Sequence, residues 1–530
     1  MNPGIYRGEL DMNVQQICRP LWVSGRYSPE KEVAIAYNLI RGESFFFKNH
    51  SARVIGSILA LKRNECIDIE KLAQETSIHV TSIQEFAETL HEVGLISFSL
   101  TTKEEVRVLQ VKQGNHVKEQ TRLSRQRGKE MLVYETTSAE QAYSEALNDG
   151  KHVTSVMFEL TYNCSAKCIH CFNDGAARES DETSKRSRKE LTLNDYKRII
   201  DELYSLGLYR VCLTGGDPFS KAEIWEILEY LYDKNIVFDI YTNGLSIMHH
   251  VERLCSFYPR LIGVSIYSAD EAIHDKITRV NGSLKRTLQT VENIAYYGVP
   301  MAFKCVIFKI NVKSYRTVES LAQKYGAVLQ YEVNLSNGVD GDTSVVNNLR
   351  LPSEVLEVVL LDKNISMYVG KELPNYGARN RDMETSPSLA ASGTFNITPE
   401  GNLTPCCAFP ASLGNLKEKT IEEILNTSKT LKRWQSLKVK DIDECGKHPK
   451  CAFCFLCIGN AYVEHGTPYK ASSVNCFMAE VRYNLACKLK NGQDLLNGLS
   501  IQNKLEQMII DSPVSFKKET GENYREKHWE

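Results

Sequence analysis

Three cysteines in the segment 160–174, LTYNCSAKCIHCFND, are the residues best suited to carry chemistry in this sequence. Cys164, Cys168 and Cys171 are spaced so that their thiolates can hold one face of a cuboidal iron–sulfur cluster. A cube of four irons held by three cysteines leaves one iron without a protein ligand, and catalytic metal sites keep such open positions for small molecules. The alternative is a zinc site with His170 as the fourth ligand. We expect a catalytic 4Fe-4S cluster here.

A second and larger group of cysteines lies in the C-terminal part of the chain. Clustered thiols in a sequence without a secretory signal usually bind metal rather than pair as disulfides. We therefore expect metal ligands at Cys406, Cys407, Cys445, Cys451, Cys454, Cys457 and Cys476. Zinc ribbons are an alternative occupant of this segment. Most of the other cysteines are expected to be small buried hydrophobic residues: Cys18, Cys66, Cys212, Cys255, Cys305 and Cys487.

Length and composition limit the possible classes of protein. The 530 residues predict about three or four domains, and the 42% hydrophobic content is sufficient for real cores. A formal net charge of −2 gives no general attraction to nucleic acid or anionic lipid. The N-terminus lacks the apolar core of a signal peptide, and no run of about 18 apolar residues is present. We expect a cytoplasmic protein with no nucleic-acid and no membrane partner.

The elements that must position the first cysteine group begin near residue 153, where strand and helix patterns alternate. The expected strands are 153–160, 209–215, 235–242, 261–268, 299–308 and 327–334. Six apolar strands separated by amphipathic helices predict an α/β fold, a parallel sheet curled into a partial (β/α)6 TIM-like barrel. Functional residues of such barrels lie at the carboxyl ends of the strands. LTGGDP (213–218), YTNG (241–244) and Ser265 occupy those positions, as does the cysteine segment.

These motifs together resemble the radical S-adenosylmethionine (SAM) superfamily. CSAKCIHC matches its CxxxCxΦC motif, with His170 in the position that an aromatic residue usually holds, and GGDP is similar to its Gly-Gly-Glu-Pro loop. The resemblance implies that the open iron binds the amine and carboxylate of S-adenosyl-L-methionine. It also implies one-electron cleavage of that cofactor to a 5′-deoxyadenosyl radical, which takes a hydrogen atom from the substrate.

The same resemblance assigns the cofactor pocket. Asp217 replaces the usual Glu of the loop and is expected to accept a hydrogen bond from the methionine amine. Arg279 is expected to pair with the carboxylate, although the family's usual Arg aligns with Thr278. The implied cofactor-binding residues are His170, Gly215, Gly216, Asp217, Pro218, Asn243, Ser265 and Arg279.

The C-terminal cysteines resemble the SPASM extension of radical enzymes that modify peptides. That extension holds one or two auxiliary 4Fe-4S clusters, and Cys406 matches its Pro-Cys ligand. The family pattern places a cysteine near 388–393 and another close to Asn460, and this sequence has neither. Cys407 and Cys454 are therefore candidates to replace the absent ligands. One cluster with an open iron is the other possibility, and such an iron is able to bind a substrate thiolate.

The N-terminal segment predicts a small winged-helix-like domain. Two strands at 32–48 precede helices at 52–61, 69–75 and 83–92, and LISF returns as a strand. This order resembles a RiPP recognition element, which binds the leader of a ribosomally made precursor peptide on a sheet edge. A DNA-binding winged helix is disfavoured by the acidic balance of residues 51–100. A purely structural domain is the other alternative.

The whole order is similar to that of sactipeptide maturases. The expected domains are 1–100 for leader binding, 101–150 as linker, 151–345 as barrel, 385–490 for auxiliary clusters, and 491–530 as helix and polar tail. The implied function is radical cross-linking of a precursor peptide, with a thioether favoured and flavodoxin or ferredoxin as reductant. The alternatives are carbon–carbon cross-links or other peptide modifications, sulfatase maturation, and a non-catalytic electron carrier.

Overall fold

A computed structural model describes residues 15–126, 138–147, 152–173, 189–365, 382–511 and 513. The mobile loop predicted at 174–190 lies outside these residues except for its last two, and so does nearly all of the polar tail predicted from 512. The chain divides into two units, Met1–Leu109 with Thr136–Leu147, and Gln110–Glu135 with Asn148–Glu530. Within the described residues, no helix combines the length and apolar character needed to span a membrane.

The first unit contains the expected strands and helices together with elements that the sequence pattern missed. Its strands and helices are β1 (Gln16–Cys18), β2 (Val23–Ser28), β3 (Val33–Asn38), β4 (Glu43–Lys48), α1 (Asn49–Ala60), β5 (Cys66–Asp68), α2 (Ile69–Thr76), α3 (Val80–Glu92), α4 (Lys103–Gln126, which continues into the second unit) and α5 (Ser138–Leu147). The predicted strand LISF is instead a single bridge between Ser97 and Cys18. Strand β2 was not predicted.

The segment 101–150 was predicted as a linker with one short helix near SAEQAYSEALND; that helix is present as α5, the longer α4 was not predicted, and α5 packs on the sheet of the first unit. β2, β3 and β4 form an antiparallel sheet in that order. The Tyr143 ring of α5 meets Phe46 of β4 edge-on, with ring centroids 6.4 Å apart. The Tyr37 hydroxyl of β3 donates a 2.7 Å hydrogen bond to Glu140 of the same helix. Residues 138–147 therefore belong to the N-terminal unit and not to a linker.

Cys18 and Cys66 are joined by a disulfide, which corrects the expectation that they are separate buried thiols. β1 and β5 pair antiparallel with these two residues directly opposite each other. The sequence could not reveal the pair because 47 intervening residues, including one sheet and one helix, separate short strands of three residues each.

The second unit contains the predicted barrel, and all six predicted strands are present. Its first elements are β6 (Ser155–Glu159), α6 (Leu193–Ser205), β7 (Arg210–Thr214), α7 (Ile224–Asp233), β8 (Val237–Thr242), α8 (Val251–Cys255), β9 (Leu261–Ser265), α9 (Glu271–Thr278), α10 (Ser283–Tyr296), β10 (Met301–Val306), α11 (Val318–Tyr325) and β11 (Val328–Glu332). β6 to β11 pair in chain order and are all parallel. The partial-barrel prediction is confirmed.

The C-terminal region extends the same sheet beyond β6. Its elements are α12 (Ser344–Leu349), α13 (Ser353–Val359), β12 (Thr394–Ile397), β13 (Asn402–Thr404), β14 (Gly414–Asn415), α14 (Ile421–Thr427), α15 (Lys429–Ser436), α16 (Ile458–His465), α17 (Ser473–Lys490) and α18 (Ile501–Gln507). β12 pairs parallel with β6, and β13 and β14 follow antiparallel. The cysteine-rich segment is therefore built directly onto the first barrel strand.

Alternation along the barrel strands separates a helix-facing core from the barrel interior. In β7, Val211 and Leu213 are completely buried in the core that the helices cover, while Cys212 points to the opposite side. Helix α6 buries Tyr196 and Ile199 against this core, and its first turn is fixed by a capping box. Each such large apolar side chain contributes about 1.5–3 kcal/mol. A rigid outer core thus leaves the interior positions available for polar residues.

Candidate active site

The three-cysteine segment is held by backbone hydrogen bonds from the loops around it. Leu160 donates to Thr214 at the end of β7 (2.8 Å), and Lys167 and Ile169 donate to Thr278 and Ile277 at the end of α9 (both 3.0 Å). The carboxyl end of a helix offers carbonyl groups without helical partners, and this loop satisfies two of them. The cysteine segment therefore lies above the barrel strands, as the sequence predicted.

The three thiols face groups that orient them. The Cys164 sulfur lies 3.4 Å from the backbone nitrogen of Ala166 and 3.4 Å from the side-chain nitrogen of Asn243. Cys168 and Cys171 lie close to the Tyr267 hydroxyl, whose pKa is raised well above its usual value, first by burial and further by the charges of these two thiols. All three thiols are partly exposed.

This donor set fits an iron–sulfur cluster better than a compact zinc site. The imidazole of His170 packs against aromatic rings, with centroids 4.7 Å from Tyr267 and 5.1 Å from Phe308. Across the ranges that the structure describes, no three His, Cys, Asp or Glu side chains are arranged to hold a single metal ion. Three thiolates supplied by one loop are a ligand set that suits a cuboidal cluster, which binds through its corners.

The Gly-Gly-Asp-Pro loop packs directly on the cysteine segment. Gly216 donates to the carbonyl of Thr161 (2.7 Å), and Asp217 donates to that of Asn163 (2.9 Å). A Cβ at Gly216 would lie 2.2 Å from the Asn163 oxygen, so only glycine fits. Gly215 is also crowded, since a Cβ there would lie 2.6 Å from the Thr161 oxygen, and it has φ +130°. Gly215 and Gly216 were predicted as cofactor contacts, which stays a prediction, and in the structure both also approach the chain's own backbone closely.

Asp217 ties this loop to the end of the next strand. Its carboxylate accepts hydrogen bonds from the Thr242 hydroxyl (2.7 Å), the Asn243 backbone (2.9 Å) and the Phe219 backbone (3.0 Å). The side chain is completely buried, and burial raises its pKa. Pro218 begins the short 3-10 helix that follows. The structure therefore gives Asp217 a positioning role, and its contact with a cofactor amine stays a prediction.

The other predicted pocket residues surround the same cysteine segment. Asn243 begins the loop after β8, and its side chain contacts both Cys164 and Ser165. Ser265 ends β9 and hydrogen-bonds Tyr267. Arg279 is exposed and ends α9 in a left-handed conformation (φ 57°), directly after Thr278. Thr278 is buried and bonded to Ser283, so the position where the family usually has Arg faces the protein interior.

Two buried charged residues that the sequence did not single out support the segment from below. Glu190 accepts hydrogen bonds from the Thr161 hydroxyl (2.9 Å) and the Tyr162 backbone (3.0 Å). The Lys221 ammonium lies 3.3 Å from the same carboxylate. Tyr162 in turn donates to Glu400, which lies between β12 and β13. A charged pair in a predicted loop is more often on the surface, so the pattern gave no reason to expect this buried contact.

The barrel interior below the loops contains a lysine, a tyrosine and a thiol. The Lys304 nitrogen lies 3.7 Å from the centroid of the Tyr241 ring. Gly263 makes this contact possible, because a Cβ there would lie 2.7 Å from Tyr241 and 2.8 Å from Lys304. Burial lowers the pKa of Lys304, against the opposing charges of Cys212 and Asp239. Burial raises the pKa of Cys212 to about 12. Cys212 is thus interior, as expected, and charged groups such as Asp239 and Lys304 lie near it.

The C-terminal cysteines separate into two groups, and all seven are partly exposed and outside any disulfide. In the first group, burial raises the pKa of Cys406 to about 11 with a further contribution from Cys457. The pKa of Cys407 is raised by burial and then by the charge of Cys406, followed by Glu159 at the end of β6. The first group therefore lies beside the barrel opening.

The second group surrounds the start of α17. Burial and the charge of Cys451 raise the pKa of Cys476, while Lys450 opposes them. The Cys454 backbone donates to Cys451 (3.2 Å), and its sulfur lies 3.9 Å from the Asn475 carbonyl. The sulfur of Cys451 lies 3.9 Å from the carbonyl of Glu444, the neighbour of Cys445. Thiolate-rich groups of this kind are suited to iron–sulfur clusters.

Comparison with known proteins agrees with this division. Residues 158–323 match the radical SAM superfamily, and residues 389–458 match SPASM, described as an iron–sulfur cluster-binding domain. The chain is 23% identical over 311 residues to the antilisterial bacteriocin subtilosin biosynthesis protein AlbA of Bacillus subtilis, which covers 58% of this chain and 66% of that protein. The chain thus spans just under two thirds of that relative's length.

Two further comparisons concern a second relative and a solved structure. The mycofactocin maturase MftC of Mycolicibacterium smegmatis is 29% identical over 175 residues, 33% of this chain and 42% of that protein. The crystal structure of Streptococcus suis SuiB bound to S-adenosylmethionine superposes with a TM-score of 0.50 at 16% identity, covering 86% of this chain and 99% of that one. At this identity the likeness shows a shared fold.

Proposed function

The chain carries a radical SAM domain at residues 158–323 and an iron–sulfur cluster-binding SPASM domain at 389–458, and from this premise we propose that it is a maturase of a ribosomally made precursor peptide. The observation that carries the proposal is the position of Cys164, Cys168 and Cys171. Their loop lies at the carboxyl ends of parallel barrel strands and packs on the Gly-Gly-Asp-Pro loop. Two relatives are named for bacteriocin biosynthesis and for mycofactocin maturation.

The chain's own residues would orient the reaction. A 4Fe-4S cluster on the three thiolates, with S-adenosyl-L-methionine on its open iron, would supply one-electron cleavage to a 5′-deoxyadenosyl radical. Asn243 contacts the Cys164 sulfur and Tyr267 contacts Cys168, so these two side chains fix the directions of two thiolates. Asp217 fixes the backbone of Asn243. Gly215, Gly216, Pro218, Ser265 and Arg279 remain proposed contacts of the cofactor.

The barrel interior next to this loop is the proposed site of the peptide segment that is modified. Lys304 and Tyr241 offer one positive charge and one aromatic face. The first C-terminal cysteine group, which contains Cys406, Cys407 and Cys457, lies beside the same opening of the barrel. Buried polar side chains that converge on one cavity are typical of sites that orient a ligand.

The leader of the precursor is proposed to bind the sheet of the first unit. β4 is an outer strand of that sheet, and such a strand can accept an added strand through backbone hydrogen bonds. Phe45 and Phe47 of β4 and Phe86 of α3 are half-buried, and the rings of Phe47 and Phe86 lie 6.1 Å apart. These aromatic side chains would receive apolar residues of the leader.

The favoured product is a thioether between a peptide cysteine and an acceptor carbon. One hydrogen atom must leave the carbon, one proton must leave the thiol, and one electron must be accepted. An auxiliary cluster on the C-terminal cysteines would supply a one-electron acceptor. Carbon–carbon cross-links and other peptide modifications use the same scaffold, so the product needs its own measurement. A flavodoxin or ferredoxin is the proposed reductant.

Reconstitution under anaerobic conditions tests the enzyme class. With S-adenosyl-L-methionine and a strong reductant, we expect the wild-type chain to release 5′-deoxyadenosine. Cys168→Ala should abolish release, because two thiolates cannot hold the cluster. Cys487→Ala in α17 is the matched control, since that thiol lies outside both groups. Wild-type protein that binds iron but releases no 5′-deoxyadenosine would instead be an electron carrier.

Co-expression with the precursor peptide tests the product and the leader site. A thioether or carbon–carbon cross-link removes a pair of hydrogen atoms, and fragmentation in a mass spectrometer identifies the joined residues. Phe47→Ala should raise the KM for the precursor and leave cofactor cleavage unchanged. Tyr296→Ala, an exposed aromatic residue of α10, serves as control. Equal modification of leader-bearing and leaderless peptides would favour a sulfatase-maturase-like enzyme.

A further inference from the structure

The inner face of the barrel sheet is lined by side chains that remain partly exposed. Towards the carboxyl ends of β7, β10 and β11, buried positions that face the helices alternate with partly exposed positions that face the interior. The interior positions include Cys212, Tyr241, Ser265, Lys304 and Glu332. An interior filled by its own side chains, as in closed barrels, would bury all of them. The inside of this barrel is therefore accessible to a group from outside the chain.

Lys304 brings a positive charge into this interior. Within the part of the chain that the structure describes, its nitrogen has no ion pair and no hydrogen bond, and it lies 3.7 Å from the centroid of the Tyr241 ring. Burial lowers the pKa of this ammonium, so water solvates its charge poorly. An ammonium has three hydrogen-bond donors, and it is costly to leave them without acceptors in such a place. Lys304 is thus positioned to receive an acceptor.

The acidic groups whose charges act on Lys304 are bound by other parts of the chain. Asp239 accepts two hydrogen bonds from Arg260, of 2.9 and 2.5 Å. Glu332 accepts three hydrogen bonds of 2.7–2.9 Å from the two residues that follow it. The Cys212 thiol is protonated at neutral pH, since burial raises its pKa to about 12. The charge of Lys304 is therefore not neutralised by a carboxylate of its own surroundings.

We propose that the Lys304 ammonium binds a carboxylate of the peptide segment that enters the barrel. This inference rests on the proposed function, because it takes a peptide as the occupant. Carboxylates are the anions that an unmodified peptide carries at neutral pH, on Asp and Glu side chains or at its C-terminus, whereas a cysteine thiol is mostly protonated there. A hydrogen bond between two charged groups is roughly twice as strong as one between neutral groups. Lys304 would therefore select peptides that present a carboxylate.

The position of Lys304 would hold that carboxylate beside the cysteine segment. Lys304 lies directly opposite Ser265 in the pairing of β9 and β10. Ser265 hydrogen-bonds Tyr267, whose hydroxyl lies close to Cys168. A peptide held at Lys304 would thus have its neighbouring carbon atoms near the centre where hydrogen is abstracted. Holding a reactant in this way lowers the entropic cost of the reaction. Lys304 is assigned as a residue that determines specificity by positioning the peptide.

Binding of short model peptides to the anaerobically purified holoprotein tests the site without turnover, in the presence of S-adenosyl-L-methionine. The probes are acetyl-Ala-Ala-Asp-Ala-Ala-amide, its Asn counterpart, and acetylated penta-alanine with a free or an amidated C-terminus. We expect one charged peptide to bind about tenfold or more tightly than its neutral counterpart, which corresponds to one charged hydrogen bond. The charged peptide that shows this preference identifies the source of the carboxylate.

Two substitutions of Lys304 and one control connect the preference to this side chain. Lys304→Met should remove the preference, because it keeps the apolar stem and removes the charge. Lys304→Arg keeps the charge and should retain the preference, which separates loss of the charge from a folding defect. Lys285→Met removes an exposed ammonium of α10 and should bind all four peptides as the wild type does.

Three results would contradict the proposals. Equal binding of charged and neutral peptides to the wild type, or no binding of any of them, would overturn the role of Lys304. An unchanged preference in Lys304→Met, with a raised KM for S-adenosyl-L-methionine, would assign the ammonium to the cofactor's carboxylate and overturn it as well. A wild type that shows the preference but leaves its co-expressed precursor unmodified would contradict the proposed function and not the carboxylate site.

Discussion

The side-chain nitrogen of Asn243 lies 3.4 Å from the sulfur of Cys164 and 3.3 Å from the hydroxyl of Ser165. This contact joins the loop after the third barrel strand to the first cysteine of the three-cysteine segment. Hydrogen bonds to a ligating sulfur are one of the means by which a protein sets the reduction potential of an iron–sulfur cluster. Asn243 is thus positioned to affect the cluster as well as the cofactor.

Replacing Asn243 by Ala should slow cofactor cleavage without removing iron. The three thiolates remain, but the Cys164 thiolate loses the hydrogen-bond donor that orients it. Loss of a group that orients a metal ligand typically lowers activity about 10–100-fold. The release of 5′-deoxyadenosine and the electron paramagnetic resonance spectrum of the reduced protein measure the two effects. Asn293→Ala, an exposed substitution on α10, is the control. An unchanged spectrum together with full activity would show that Asn243 affects neither the cluster nor the cofactor.

The two C-terminal cysteine groups should lose iron independently. Cys451→Ala and Cys476→Ala remove members of the group at the start of α17, and Cys406→Ala and Cys457→Ala remove members of the group beside the barrel. If each group holds one cluster, pairing two substitutions within a group should lose no more iron than either alone. Pairing across groups should lose about twice as much. Iron analysis and Mössbauer spectra of the four single variants and the pairs decide this.

Additive iron loss within one group would contradict the assignment of its members to a shared cluster. The matched control is again Cys487→Ala, which should keep the full iron content. Retained activity in a variant that has lost one cluster would show that this cluster is structural.

Most of the barrel could be predicted from the sequence because buried parallel strands are apolar runs. The strands around Val211 and Val264 have this pattern, and the residues that follow them were expected at the site. The position of the cysteine segment followed from the same rule. The sequence pattern also predicted helices α1, α2 and α3 of the N-terminal unit, but not α4.

Other features depend on contacts between distant segments, which local patterns do not contain. Helix α5 has an ordinary amphipathic pattern, and nothing in it identifies the sheet around Phe46 as its partner. The role of Gly216 is set by the carbonyl of Asn163, which lies 53 residues earlier in the chain. The buried pair of Glu190 and Lys221 likewise joins two segments that are distant in the sequence.

Acid should destabilise the barrel through His274. Burial lowers the pKa of this imidazole from 6.5 to about 4, so the folded protein holds it neutral where the unfolded chain would bind a proton. The contribution of His274 to the free energy of unfolding is therefore complete above about pH 6.5. It is lost as the pH falls toward about 4, and the loss reaches up to about 3 kcal/mol. Thermal unfolding midpoints between about pH 7.5 and about pH 5.5 should fall more steeply for the wild type than for His274→Gln.

The control for this effect is His249→Gln, which replaces an exposed imidazole. It should retain the full acid dependence of the wild type. The same slope in His274→Gln as in the wild type would show that other groups cause the acid sensitivity.

Replacing Gly216 by Ala should prevent the cysteine segment from adopting its position. The new methyl group would lie 2.2 Å from the carbonyl oxygen of Asn163 and 2.6 Å from that of Tyr162, and both are backbone atoms that cannot rotate away. We expect loss of the catalytic cluster, with iron content reduced by one cluster and no release of 5′-deoxyadenosine. Gly492→Ala, where a Cβ meets nothing within 4 Å although φ is +73°, should cost only about 1 kcal/mol and keep the iron. Full activity in Gly216→Ala would mean that the Gly-Gly-Asp-Pro loop does not constrain the cysteine segment.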